Sequence, residues 1–489
     1  MHRDDIARLN AKRICHECIG EEYLSNEVSV TGEAAKCSYC DQTMVAWSLG
    51  QLAKRVEIAF DHHFTRTSVE PDYLQRHMMA DRESSYEWFR EGDTTVEAFE
   101  GAAEVASEVA KDVQVILEDK HACYDPSEWD GETEFSAECH YEEKGATDEA
   151  WQEDWRNFEQ CIQKEARFFS RSAAVHLAEV FGHIDSLKTS NNQPLVVDAG
   201  PYFDLNCLYR ARVFQSEDPL LKALCRPDQE LGPPPARLAT AGRMNAQGIS
   251  VFYGATSMQS AIAEVRPPVG SRVVVARFNI QRPLRLLDLT ALEYAHDTGS
   301  IFDLTLKDRL ERVAFLRSVG KRMTRAVMPD DQALDYLATQ AIADFLATEN
   351  EPALDGIIFQ SAQAKEGRNV VLFHKASKVE AMSIPQNTEI SASAGHHSDE
   401  GYEVDYSVWE TVTKAIKDDA LGHRQHLDPD NLLWFDPADV RSLEPREATL
   451  SVDLGSVEVH SVDWVQVHCT AFSVSRHRYE QSTSKVNDF

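Results

Sequence analysis

The chain has 489 residues, with 81 acidic against 49 basic side chains and a formal net charge of −32. That length holds about two to four domains with ample core. So large an acidic excess argues against a broad nucleic-acid-binding surface, and no apolar run approaches the roughly 20 residues that a membrane-spanning helix needs; a soluble, cytoplasmic protein is expected.

The first pattern lies in residues 1–66. Cys15-His-Glu-Cys18 and Cys37-Ser-Tyr-Cys40 form a C-x2-C-x18-C-x2-C set. Each pair can turn a tight knuckle, and the loop between is long enough to fold back. Four thiolates make a closed tetrahedral site with no position left for substrate, so structural zinc held by Cys15, Cys18, Cys37 and Cys40 is expected. Two disulfides or a redox-active Cys-x-x-Cys are the alternatives. The opening Met1-His-Arg-Asp-Asp-Ile6 is too polar for a signal peptide, and cytosolic thiols stay reduced, which favours metal. His16 is expected at the surface. The remaining cysteines (Cys123, Cys139, Cys161, Cys207, Cys225 and Cys469) show no paired spacing and fit core or half-buried thiols.

Helical spacing follows. Val45 to Phe64 repeats through Leu49, Leu52, Val56 and Phe60. Thr95 to Lys120 reads as a second long helix capped by Thr94 or Thr95. Asp154 to Leu187 reads as a third, with Phe158, Ile162, Phe168, Phe169, Val175, Leu177 and Phe181 as its apolar face. Between them, Asp125 to Asp154 holds twelve acids and Lys144 as its one base, the composition of a solvated connector. Residues 67–192 are thus expected as an all-α regulatory or dimerising module, joined by a polar linker over Leu187 to Gln193 to a catalytic region at 193–383.

In that region Leu208 to Val213 reads as a strand, with Arg210 and Arg212 on one side. A rigid loop, Gly232-Pro-Pro-Pro235, precedes Gly242-Arg-Met-Asn245. Gly248 to Tyr253 reads as a strand ending in Gly254. Ser257 then caps a helix over Met258 to Val265, with Glu264 about two turns in, on the face of Ser257 and Ser260. A helical insertion is expected at about Ile301 to Glu349. Asp355 to Ser361 and Gly367 to Phe373 read as a strand pair.

This ordered set, from Leu208 to Lys375, resembles the RES family, whose members degrade NAD. The family arginine falls on Arg210, its glutamate on Glu264 and its serine on Ser361. Its Gly-Arg-Trp-Asn pattern has Met244 in place of tryptophan, and its Tyr-Pro-Ser form stands here as Phe359-Gln-Ser361. The resemblance implies an ADP-ribosyltransferase-like split β-core with helices around an NAD cleft. Nicotinamide already carries positive charge and leaves without being protonated, so one carboxylate can suffice to offset the oxocarbenium-like state. The pyrophosphate calls for arginine, and a tyrosine can stack on nicotinamide or donate at the ribose. Arg210, Tyr253 and Glu264 are therefore the candidate catalytic residues, and Arg212, Arg243, Asn245, Ser361 and Asn369 the candidate dinucleotide-binding ones. All are expected to gather around a single dinucleotide.

Known relatives are mostly toxins of toxin–antitoxin pairs that consume NAD by phosphorolysis or hydrolysis. The resemblance thus implies NAD as substrate, phosphate or water as acceptor, and control by an inhibitory partner protein or antitoxin; homo-oligomerisation is also open. ADP-ribosyl transfer to a protein or nucleotide, or a non-catalytic zinc and helical adaptor, are the alternative functions. The helices resemble HEPN-type regions fused ahead of some RES domains, and Arg171-Ser-Ala-Ala-Val-His176 fits the loose Arg-x4-His pattern of HEPN ribonucleases. The acidic surroundings disfavour RNA, and a regulatory helical module is the expectation.

Beyond it, Ile384 to Gly401 reads as a linker with solvent-exposed His396 and His397. Asp405 to Lys417 and Pro437 to Leu443 read as helices. Leu450 to Leu454, Val457 to Val462 and Asp463 to Val474 read as strands of a small α+β extension over 384–489. The fold expected overall is α+β: a four-cysteine zinc knuckle, an all-α module, the split β-core and this extension.

Overall fold

The computed structural model describes residues 3–81, 84–122, 132–325, 327–328, 330–398, 401–413, 446–467 and 469–479. It is a mixed α+β protein with no closed barrel among the described residues. Helix α1 (Arg3–Ala11) leads into strand β1 (Arg13–Cys15), helix α2 (Glu22–Thr31) and strands β2 (Glu33–Lys36) and β3 (Thr43–Ser48), which form a three-stranded sheet ordered β1-β3-β2. The expected helix from Val45 begins later, as α3 (Leu49–His63), because Ser48 and Gln51 close a capping box that fixes its first turn. Strand β4 (Phe64–Arg66), helix α4 (Tyr73–Ala80), strand β5 (Asp93–Thr94), helices α5 (Thr95–Ala103) and α6 (Ser107–Lys120) and strand β6 (His140–Glu143) follow.

The expected helix over Thr95 to Lys120 is broken. Glu104 takes a left-handed conformation (φ 49°), its carbonyl accepts from the Gly20 N–H at 2.9 Å, and Val105 bridges Ile19. Docking of the cysteine knuckle thus outweighs the continuous helical propensity. The acidic connector is also corrected in its described part. Phe135, Cys139 and Tyr141 are buried, β6 pairs with both β4 and β5, and Glu132 is bonded by Arg90. The expected all-α module therefore contains a small sheet. Leu24, Leu49, Phe60, Phe99, Leu117 and Tyr141 share one core, which runs across the expected boundary at residue 66.

The third expected helix is two. Helix α7 (Glu149–Gln160) ends in a π-turn (Cys161–Glu165), and α8 (Arg171–Phe181) starts afresh at Ser170, whose hydroxyl accepts from the Ala173 N–H at 3.2 Å. Phe168, Phe169 and Val175 face outward, while Trp155, Phe158, Ile162, Leu177 and Phe181 are buried.

Next come strands β7 (Lys188–Thr189), β8 (Val196–Ala199) and β9 (Cys207–Phe214), helices α9 (Glu217–Cys225) and α10 (Pro227–Glu230), strand β10 (Phe252–Ala255) and helix α11 (Met258–Glu264). Strands β11 (Arg272–Ile280) and β12 (Leu284–Asp288), helix α12 (Leu289–Leu292), strand β13 (Ala295–His296) and helices α13 (Leu306–Thr324) and α14 (Gln332–Thr348) follow, the last two being the expected insertion. Strands β14 (Gly356–Gln360), β15 (Arg368–Leu372), β16 (Thr388–Ser398), β17 (Gly401–Val412), β18 (Leu450–Val452) and β19 (Glu458–Ser461) complete the chain.

A large sheet runs β18-β11-β9-β10-β15-β14-β12-β8, with β19 also on β11. Strands β9 and β10 meet at one residue pair, Tyr209 opposite Ala255, while β9 pairs with β11 along its length and β10 with β15 along its own. The sheet is thus split in two halves hinged at that pair. Helices α7, α8, α13 and α14 share a core with β10, β12, β14 and β15, α11 covers β9 and β11 on the same face, and α9 covers the opposite face.

The C-terminal expectations fare unevenly. Strands β18 and β19 are present but pair with β11 inside the large sheet, so they do not form a separate extension. The expected linker and the expected helix from Asp405 are instead the hairpin β16–β17. Tyr402, Val404, Tyr406 and Val408 alternate at a period of two, which suits a strand and not a helix. Asp463 to Val474 holds no strand among its described residues. The helix expected at Pro437 to Leu443 lies outside the described residues, as does Cys123.

Candidate active site and metal centre

Glu264 stands at the C-terminal end of α11, a helix opened by Ser257, whose hydroxyl accepts from the Ser260 N–H at 3.2 Å. Its Oε1 accepts from the Ser361 hydroxyl at 2.5 Å and from Asn369 Nδ2 at 2.7 Å. Among the described residues nothing holds Oε2, and the side chain is exposed. Ser361 is buried and fixed, its Oγ accepting from the backbone N–H groups of Gln363 and Ala364 at 3.1 Å each. Asn369 sits on β15 between β10 and β14, opposite Ala255 and Phe359. It is 4% exposed, and its Oδ1 is buried without a partner. A carboxylate pinned by one oxygen and a buried acceptor left open beside it suit a hydroxyl- or amide-bearing ligand. Gly367 lets the loop close over α11: a Cβ there would lie 2.4 Å from Ser260 Oγ.

A second group surrounds Tyr253. Its hydroxyl donates to Asn245 Oδ1 at 2.9 Å and accepts from the Met244 N–H at 3.1 Å; burial pushes the phenol up to about 12. Both hydroxyl functions are thereby used, which leaves the ring and not the hydroxyl for a ligand. Asn245 is 4% exposed, and its Nδ2 donates to the carbonyls of Thr240, Ala246 and Ile249 at 3.0, 3.2 and 3.1 Å. Its amide thus braces its own loop from within. Gly242 is required at this turn, since a Cβ would lie 2.5 Å from Asn245 Oδ1. The inserted helices hold the loop from outside, a connection that nothing in the local sequence signals. Thr339 Oγ1 donates to the Arg243 carbonyl, Gln340 Nε2 to that of Gly242, and Arg243 Nη1 to the Met323 carbonyl at 2.7 Å. Arg243 also stacks on Tyr336 at 5.2 Å.

Arg210 lies where β9 and β10 part. Its Nη1 donates to the Tyr253 carbonyl at 3.3 Å and its guanidinium covers the Phe252 ring at 5.0 Å. No carboxylate faces it among the described residues. Burial, with the charge of Arg212 adding to it, brings the guanidinium down to about 10. A desolvated cation without a counter-charge favours an incoming anion. Arg212 differs: its Nη1 is 2.9 Å from Glu230 Oε2, so its charge is already met by a carboxylate.

The expected single cluster is corrected in one further respect. Register parity turns Arg210 to the side of Phe252, whereas Tyr253, Ala255 and Asn369 point to the other side. No hydrogen bond or ion pair joins Arg210 to Glu264 among the described residues. The sequence-predicted residues thus form two groups flanking β10, with Arg210 at the split.

The four cysteines do converge, with their Sγ atoms within 4.8 Å of one another. Cys15 lies 3.6 Å from Cys18 and from Cys40, and Cys18 lies 3.8 Å from Cys37. Tetrahedral zinc with bonds of about 2.3 Å gives sulfur–sulfur edges of about 3.8 Å, whereas a disulfide needs about 2.05 Å. Burial raises the Cys37 thiol, but the backbone N–H groups of Tyr39, Cys40 and Cys15 outweigh it and bring it to about 7. The donor set fits a metal of zinc type. Arg171 and His176 do not share a surface: Arg171 is exposed, while His176 is 8% exposed among Trp151, Trp155, Phe158 and Phe315.

Residues 208–393 match the family model described as the RES domain, from the second residue of β9 into β16. No curated protein and no solved structure matches the chain.

Proposed function

We propose, from the premise of a RES domain and hence of an NAD-related enzyme family, that this chain consumes NAD by cleaving the nicotinamide–ribose bond. The carrying observation is Glu264, held by Ser361 and Asn369 through one oxygen and open at the other. In this reading the dinucleotide lies along the gap between β9 and β10. Its pyrophosphate reaches Arg210 through that gap, since Arg210 turns to the other side of the sheet from Tyr253 and Asn369; no carboxylate faces Arg210 among the described residues, and Arg243 supports the turn beside Tyr253. The Tyr253 ring packs against nicotinamide. Glu264 Oε2 accepts from a ribose hydroxyl and offsets the charge that builds on the sugar as neutral nicotinamide departs. Asn369 Oδ1 takes a further ligand N–H or O–H. Phosphate or water then attacks the sugar.

Depletion of NAD harms the host cell, so the activity belongs to a regulated toxin or defence effector held by a partner protein or by its own front end. The four-cysteine knuckle carries structural zinc in this reading, because all four donors are protein thiols and no coordination position is open.

Full-length protein incubated with NAD, with and without phosphate, tests the reading. The expected result is NAD loss with a product whose mass identifies the acceptor, and roughly a hundredfold slower turnover in Glu264→Gln. Undiminished NAD, or an unchanged rate in Glu264→Gln, overturns it.

A further inference from the structure

A cavity of about 650 Å³ lies away from the candidate active site, between the short β7–β13 ladder and the first turns of α13. Phe302, just before α13, is buried in the core of the cysteine-knuckle unit, and its carbonyl accepts from Arg55 Nη2 at 2.5 Å.

The lining is basic, in contrast to a chain of net charge −32. Arg309 is matched, with Asp297 and Asp303 each 3.0 Å away, though its Nε is buried without a partner. Arg312 is not matched: its guanidinium donates to the carbonyls of Val180 and Gly182 and forms no ion pair among the described residues. Burial presses its charge downward, with Asp297 opposing from a distance. Lys188 lines the same space, exposed, with no hydrogen bond or ion pair for its ammonium among the described residues. Ser190 and Thr298 add hydroxyls that bond to no other described group, and His183 and His296 add two imidazoles.

We infer that this cavity binds a phosphate-bearing small molecule about the size of a mononucleotide. Two cations without an ion pair among the described residues line it together with the Ser190 and Thr298 hydroxyls, the equipment that a phosphate group needs, and two imidazoles share the lining with them. The volume falls within the roughly 300–1,000 Å³ of small-molecule sites. Acidic or cationic ligands are not equivalent here: the one lining carboxylate, Asp297, is engaged by Arg309 and offers little to a cation.

Calorimetric titration of the full-length protein with AMP tests the inference and stands whether or not the chain turns over NAD. The expected result is saturable one-to-one binding that weakens at least about tenfold in Lys188→Glu and in Arg312→Gln. Glu264→Gln and Arg243→Gln should bind AMP as the wild type does. Lys188 is exposed, so its variant keeps the test open where Arg312→Gln fails to fold. Absence of saturable binding, unchanged affinity in Lys188→Glu, or loss of binding in Arg243→Gln overturns the inference; the last outcome assigns AMP to the NAD cleft instead.

Discussion

Asn245 and Glu264 show how differently two polar residues of one motif set can serve. Glu264 keeps one oxygen open, while every function of the Asn245 amide is spent inside its loop. Asn245→Ala should therefore act on stability. It leaves the carbonyls of Thr240, Ala246 and Ile249 and the half-buried Tyr253 hydroxyl short of a partner, a loss of about 2 kcal/mol by urea denaturation; an unchanged urea midpoint would reject the bracing role. The place of Glu264 is legible because Ser257 caps the helix that ends on it, and Ser361 meets it from the end of β14, across β11, β12 and the inserted helices. The bracing role of Asn245 is not legible, because nothing local announces that the carbonyls of Thr240, Ala246 and Ile249 need a donor. The ion pair of Arg212 is equally silent in the sequence, since Glu230 comes to it from a different element.

Elements with their own start and stop signals are legible: Ser257 caps its helix where expected, and the strand expected over Leu208 to Val213 forms as Cys207 to Phe214. Elements decided by distant partners are not, as the break at Glu104 and the division between α7 and α8 show. The seam where α7 and α8 meet α13 carries a pH signature. His176 is buried among four aromatic rings with Nε2 unpartnered, and burial holds its pKa below the ordinary 6.5, outweighing Asp154 and Glu179. The unfolded chain then binds a proton more readily than the folded one as pH falls through that value, so stability declines on acidification and is fully present above it. Urea midpoints at pH 7.5 and 5.5 should differ more for the wild type than for His176→Phe; equal differences would sink this assignment. At the cysteine knuckle, metal analysis should return one zinc per chain, and Cys15→Ser should lose it and render β1 to β3 protease-sensitive; retention of zinc in that variant would reject the tetrathiolate site.

At the scale of the whole molecule, the cores disregard the module boundaries that composition suggests. The cysteine knuckle, α3, α5, α6 and β6 form one unit, but α7 and α8, expected in one module with α5 and α6, bury Trp155, Phe158, Leu177 and Phe181 against Phe315, Leu316, Ile342 and Leu346 of the inserted helices. A chain starting at residue 193 strips that layer and exposes a large apolar face, and it should be recovered aggregated. A chain starting at residue 146 keeps the layer and should be recovered folded and soluble. The shorter cut also frees Phe302, whose burial in the knuckle unit tethers the segment entering α13, and through α13 the Met323 carbonyl that holds Arg243. If the front end restrains the cleft by this route, NAD turnover per molecule should rise in the chain from residue 146, and Phe302→Ala in the full-length protein should reproduce part of the rise. Equal turnover in all three proteins would mean that the knuckle unit serves another purpose, with the tether at Phe302 structural and no more.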